Sequence, residues 1–197
     1  MPLESKTIVV ATNNDNKIKE IREILPEFNI KKAKDIIDNF YVEEDGIGFC
    51  ENAYLKAKAL SKYTNEIVLA DDSGLEVFSL NNQPGIYSSR YSKEATDESN
   101  LNKLLRNMEN ITDRSARFVC CVVVIFGETV IQEEGFVYGT IEEKKKGING
   151  FGYDPVFTPA NHNRTFAEME QDLKNSISHR HNALNKIKRA LKERGLI

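Results

Sequence analysis

No apolar run in this chain is long enough to cross a membrane: the longest, residues 118–126, falls well short of the ~20 residues a spanning helix needs. The opening Met1-Pro2-Leu3-Glu4-Ser5-Lys6 lacks the basic stretch and apolar core of an export signal, so a cytoplasmic protein with no membrane contact is expected. Cysteine is scarce. Cys50, Cys120 and Cys121 are odd in number, without metal-ligand spacing, and two of them sit side by side in an apolar stretch, so they read as buried thiols in a reducing cytosol. Excess charge of one sign is also missing. A net charge of −3 supplies no global basic field of the kind that draws proteins onto nucleic acid, and no nucleic-acid partner is expected. The basic clusters Lys144-Lys145-Lys146 and residues 186–194 read as a solvated loop and a solvated helix face. There is no Gly-x-x-x-x-Gly-Lys of a P-loop, no internal repeat and no linker. His179 and His181 lie two apart and would not share a helix face, so zinc is not expected.

What is present is an ordinary globular composition, 40% hydrophobic and 29% charged, over a length that fits one domain across residues 1–197, with room for two lobes. Ile8-Val9-Val10-Ala11 reads as a buried strand running into the polar loop Thr12-Asn13-Asn14-Asp15-Asn16. Ile18, Ile21, Ile24 and Leu25 then recur at helical spacing until Pro26 stops them. A second helix is expected from about Phe49 to Tyr63, with Asn52 and Lys56 one turn apart on its polar face. Ile67-Val68-Leu69-Ala70 reads as a buried strand that ends at Asp71-Asp72-Ser73-Gly74. A helix striped by Leu101, Leu104, Leu105 and Met108 should be capped near Thr96 or Asp97. Residues 118–126 fit a central strand, with residues 129–132 as hairpin partner across Gly127-Glu128. Thr165 to Glu168 matches a capping box, and Ala183, Leu184, Ile187 and Leu191 stripe a last helix that stops at Gly195. An α/β fold with a mixed sheet follows.

Four constellations carry chemistry. Thr12-x-Asn14-x-x-Lys17 lies between a strand and a helix N-terminus, where amide hydrogens and an ammonium can hold a polyphosphate; by itself it is equally an N-cap followed by a lysine. Asp71-Asp72-Ser73-Gly74, with Glu43, Glu44 and Glu51 upstream, gathers carboxylates beside a buried strand, where a hard cation such as Mg²⁺ would compensate them. Gly150-Phe151-Gly152-Tyr153-Asp154 sets an aromatic between glycines, so that a flat base can stack while backbone groups read its edge. Residues 174–180 bring Lys174, suited to a phosphate, and Arg180, whose planar donors suit a purine carbonyl, to the start of the last helix.

Six motifs then stand in a fixed order: Thr12-x-Asn14-x-x-Lys17, Glu51-Asn52-Ala53-x-x-Lys56, Ala70 to Leu75, Pro84-Gly85-Ile86-Tyr87-Ser88-x-Arg90, Gly150 to Pro155 and Ser178-His179-Arg180. Together, from about residue 7 to 191, they resemble the inosine triphosphate pyrophosphatase family, the non-standard purine NTP pyrophosphatases. The resemblance implies an elongated mixed β-sheet flanked by helices, two lobes around a central cleft, a homodimer, and hydrolysis of ITP, dITP and XTP with Mg²⁺. It also implies roles: Lys17 with its loop of Thr12, Asn13, Asn14, Asp15 and Asn16, Lys56 and Lys174 on the triphosphate; Asp72 as acidic centre and metal ligand with Asp71 beside it; Ser73 on the substrate. Phe151, Gly152, Tyr153, Asp154, His179 and Arg180 would form the base pocket. The remaining metal ligand falls on Glu43 or Glu44, with Glu44 preferred. The chain departs from the family pattern at His181 and Asn13.

Overall fold

The computed structural model describes residues 6–196; Met1 to Ser5, on which the export reading largely rests, and Ile197 lie outside the described residues. In chain order the elements are β1 (Thr7–Val10), α1 (Asp15–Ile24), β2 (Asn29–Lys32), α2 (Phe49–Leu60), β3 (Ile67–Val77), β4 (Gln83–Pro84), α3 (Asp97–Asn107), β5 (Ser115–Phe126), β6 (Thr129–Ile141), β7 (Phe157–Pro159), α4 (Gln171–Ile177) and α5 (His179–Glu193). The strands make one seven-stranded sheet in the order β2-β1-β3-β5-β6-β7, with β4 paired to β3. Strand β1 runs parallel to both β2 and β3, whereas β3 with β4 and β6 with β7 are antiparallel pairs, so the sheet is mixed as expected.

The helix ends obey local chemistry. Asn14 caps α1, its side-chain oxygen accepting the amides of Asn16 and Lys17 at 2.9 and 3.2 Å. Thr96 caps α3 in a reciprocal capping box with Ser99. Helix α5 ends in a Schellman turn, Leu196 N–H bonding Leu191 O and Gly195 N–H bonding Lys192 O, with Gly195 at φ 65°.

Three expectations change. Strand β3 does not end at Ala70 but runs on to Val77, carrying Asp71 and Asp72 in mid-strand; this is possible because each carboxylate meets cationic partners inside the fold. The hairpin partner of β5 likewise extends past residue 132 to Ile141. The cysteines divide as alternate strand faces require: Cys121 on β5 forms a disulfide with Cys50 on α2, Cα atoms 5.1 Å apart, and Cys120 stays a buried thiol. The reading of three free thiols therefore fails for Cys50 and Cys121.

The described residues divide into two compact units, whose boundaries fall inside β3, β5, β6 and the first turn of α5. The first comprises the chain up to Asp72, Cys120–Gly135 and the residues from Arg180 on. Its core joins Ile8 and Val10 of β1, Ile18 and Ile21 of α1, and Leu184 and Ile187 of α5. The second comprises Ser73–Val119 and Phe136–His179, around Leu75, Leu104, Phe118, Phe157 and Phe166. Phe118 packs edge-on against Phe157 at 4.7 Å between ring centroids. Among the described residues no helix is long and apolar enough to cross a membrane.

Candidate active site

In the first unit β3 delivers two neighbouring carboxylates into different surroundings, since successive strand residues face opposite ways. Asp71 is 1% exposed. Its Oδ2 receives Lys17 Nζ at 3.0 Å and Arg180 Nε and Nη2 at 3.2 and 3.0 Å, with Cys120 Sγ 3.9 Å away. Burial alone would raise this carboxyl; Lys17 and Arg180 outweigh it and hold Asp71 well below the usual carboxylate range. Arg180 also donates to Glu20, itself buried on α1 three residues after Lys17, so one guanidinium bridges two buried acids. Burial and the charge of Asp71 push the Cys120 thiol up, which keeps it protonated and inert.

Asp72 faces α2. Asn52 Nδ2 donates to its Oδ2 at 3.1 Å, and Lys56 Nζ lies 3.6 Å from its Oδ1 and 2.6 Å from Glu44 Oε1. Burial lifts the Asp72 carboxyl above its ordinary value against the pull of Lys56 and Lys17, which makes the ionised form a stronger proton acceptor. Burial works against the charged form of Lys56, but Asp72, Glu44 and Asp71 together raise its affinity for the proton. Asn52 is fixed in turn, its Oδ1 accepting the Gly46 amide at 2.9 Å. A Cβ on Gly46 would sit 2.7 Å from that oxygen, so the turn before α2 needs glycine to let Asn52 approach.

The sequence-derived site residues divide between the units. Lys17, Lys56, Glu44, Asp71, Asp72 and Arg180 meet in the first unit. Glu44 is brought to Lys56, whereas Glu43 beside it is exposed. Thr12 and Asn14 spend their side chains on the loop's own amides, Asn13 donates to Phe40 O at 2.9 Å, and exposed Asp15 pairs with Lys32; Asn16 is exposed as well. The loop is thus chiefly a cap that points Lys17 inward. Arg180, expected at the edge of a base, instead has its fork on Asp71 and Glu20, because a planar guanidinium with several donors can serve two buried acids at once.

The second unit assembles the other group, while half-buried Ser73 continues β3 within it. Phe151 N–H donates to Asp154 Oδ2 at 2.8 Å, and Lys174 Nζ reaches the same oxygen at 2.7 Å while lying 4.9 Å from the Phe151 ring centroid. Lys174, expected on a phosphate, is therefore 4% exposed and bound into the aromatic platform. The Tyr153 hydroxyl donates to Ser88 O at 2.9 Å, and His179 stacks on Phe118 with ring centroids 4.8 Å apart. Gly150 and Gly152 take φ of 76° and 61°. A Cβ on Gly150 would lie 2.1 Å from Asp154 Oδ2, so only glycine fits there. The amides of Phe151, Gly152 and Asp154 are all bonded within the protein.

Sequence reasoning left Glu20 out, offered Asp97 only as a cap, and gave Asn52 a helix face and a place in a motif but no role. Glu20 had a signal: it follows Lys17 by one helical turn and precedes Ile21 in the buried stripe.

Mg²⁺ fits what is present. Asp72 and Glu44 offer hard anionic oxygens that share one ammonium, and Asp71 Oδ1 is buried with no hydrogen-bond partner among the described residues. No group of three or more His, Cys, Asp or Glu side chains among the described residues forms a complete metal cage. Magnesium is usually held by one or two carboxylates, with water and phosphate oxygens completing its shell.

The middle strand of the mixed sheet carries two carboxylates met by ammonium and guanidinium groups from other elements, the kind of charged cluster that marks a candidate active site. Comparison with known proteins makes this specific. The Ham1 family model matches residues 8–190, and the chain belongs to that family. It is 46% identical over 194 residues to the dITP/XTP pyrophosphatase of Clostridium tetani, covering 95% of this chain and 96% of that one. The dITP/XTP pyrophosphatase of Staphylococcus aureus strain MW2 is 46% identical over 183 residues, covering 91% and 93%. Among solved structures, the Staphylococcus aureus Ham1 protein superposes with a TM-score of 0.87 at 43% identity, covering 96% of this chain and 100% of its own. A HAM1 protein from Coxiella burnetii gives 0.85 at 38% identity, covering 95% and 99%.

Proposed function

We propose that this chain hydrolyses the deaminated purine nucleotides ITP, dITP and XTP to the nucleoside monophosphate and pyrophosphate, clearing them from the nucleotide pool. The observation that carries the reading is Asp72: a mostly buried carboxylate of raised basicity, aligned by Asn52 and faced by Lys56. The family's dITP/XTP pyrophosphatases support it at nearly half identity over almost the whole chain.

On this reading, Lys17 and Lys56 neutralise the triphosphate, which is usually the largest catalytic contribution to phosphoryl transfer. Asn52 holds one oxygen of Asp72, and the other, beside Lys56, would accept a proton from the water that attacks the α-phosphorus in line, and pyrophosphate leaves. Glu44 and Asp72, with Asp71 beside them, would hold Mg²⁺, which when bound offsets the charge that grows on phosphate oxygens. Arg180 and Glu20 keep Asp71 in place rather than touching the base. Phe151 offers a flat face for a purine, with Lys174 and Asp154 setting its orientation. Selection for a 6-oxo purine requires donors at that edge, and a 6-amino base would leave each of them unpaired at about 1–3 kcal/mol, so ATP is a poor substrate. The enzyme works in the cytoplasm as a homodimer.

The test is a panel of ITP, XTP, dUTP, dTTP and ATP with Mg²⁺ and identification of the products. Release of IMP and pyrophosphate from ITP, with kcat/KM for ATP lower by about a hundredfold, is the expected outcome. Preferential cleavage of dUTP or dTTP would move the protein to another nucleotide class, and tight ITP binding without turnover would make it a binding module.

A further inference from the structure

The loop of residues 150–154 contains two glycines at positive φ, a residue type that visits either sign of φ almost equally well, so the sequence alone would leave it loose. Three side chains hold it. Asp154 Oδ2 accepts the Phe151 amide at 2.8 Å, the Tyr153 hydroxyl donates to Ser88 O at 2.9 Å, and Asp97 Oδ2 accepts the Gly152 amide at 2.9 Å. The first two belong to the loop itself. The third comes from the first turn of α3.

Asp97 is not required to cap its own helix. Thr96 and Ser99 already satisfy each other's amides at 3.1 Å, so the Asp97 carboxylate is available to reach outward. A carboxylate oxygen makes a stronger acceptor for an amide than a neutral oxygen does. Because Gly152 has no side chain to fix its backbone, this bond restrains the direction in which the chain leaves Phe151. Together with the Asp154 and Lys174 contacts it restrains the ring.

Resting on the reading that Phe151 carries the base, we infer that Asp97 is a positioning residue for base recognition: from α3 it locks Gly152 and so presets the Phe151 platform. It touches neither phosphates nor the reacting atoms. Its loss should weaken substrate binding and leave the chemical step alone.

The test compares wild type, Asp97→Ala and Asp97→Asn. In Asp97→Ala the KM for ITP rises about tenfold, the scale of one lost hydrogen bond, while kcat stays within about twofold. The kcat/KM ratio of ITP over ATP falls in parallel. Asn retains an acceptor oxygen, so Asp97→Asn recovers most of the KM, which a mere helix-charge effect would not give. Exchange of the Gly152 amide, followed by NMR without substrate, is faster in Asp97→Ala and near wild type in Asp97→Asn. An unchanged KM and unchanged Gly152 exchange in Asp97→Ala overturn the inference, as does a matching loss of kcat in both variants with a lowered Tm. A wild-type enzyme inactive on ITP strikes the functional reading instead, and unchanged Gly152 exchange would still count against Asp97 on its own.

Discussion

Replacing Asp72 with Asn is expected to cut kcat for ITP by about 10²–10⁴-fold, the usual contribution of a positioned general base, while the protein folds normally. The fold tolerates the change because burial already disfavours the Asp72 charge, so neutralising it relieves a desolvation cost. Asn keeps the shape and can accept the Asn52 amide, and Lys56 retains Glu44 at 2.6 Å. Steady-state kinetics beside a thermal melt checks both halves. Near-normal turnover would remove Asp72 from the mechanism, and a lost melt would make it structural.

Replacing Arg180 with Met should produce the largest loss of stability in the chain. Arg180 is 1% exposed and compensates Asp71 and Glu20, both buried. Taking away one partner of a buried charge network typically costs about 3–5 kcal/mol, because the stranded charges cannot be rehydrated. For a domain of this size that lowers Tm by roughly 6–20 °C. Arg180→Met combined with Glu20→Gln should recover part of it, since one stranded charge is then removed. A single variant melting within about 2 °C of wild type would show that Arg180 is not what holds these acids in the fold.

The secondary structure was legible wherever apolar period and cap chemistry agreed. Asn14 and Pro26 bracket α1, Thr96 opens α3 and Gly195 closes α5, all as local rules require. The acidic pair misled because Asp71-Asp72 breaks an apolar run, which is a strand-end signal unless cations from elsewhere compensate it. Lys17, Lys56 and Arg180 do so from three distant stretches, and no local pattern announces them. The same reason explains Arg180 and Lys174: residue type names the chemistry a side chain can do, but the partner is chosen by tertiary placement. Cys50 and Cys121 are 71 residues apart, and their pairing follows from which face of β5 meets α2. Asp97 was visible as a cap candidate; that Thr96 would cap and free it for Gly152 was not.

The most direct test of the central claim is ITP hydrolysis in H₂¹⁸O with Mg²⁺ present. Attack on the α-phosphorus places the heavy oxygen in IMP and leaves pyrophosphate unlabelled. Label in pyrophosphate would mean attack at the β-phosphorus, and label in single phosphate with release of IDP would mean attack at the γ-phosphorus; either would contradict the proposed role of Asp72, Lys17 and Lys56 at the α-phosphate.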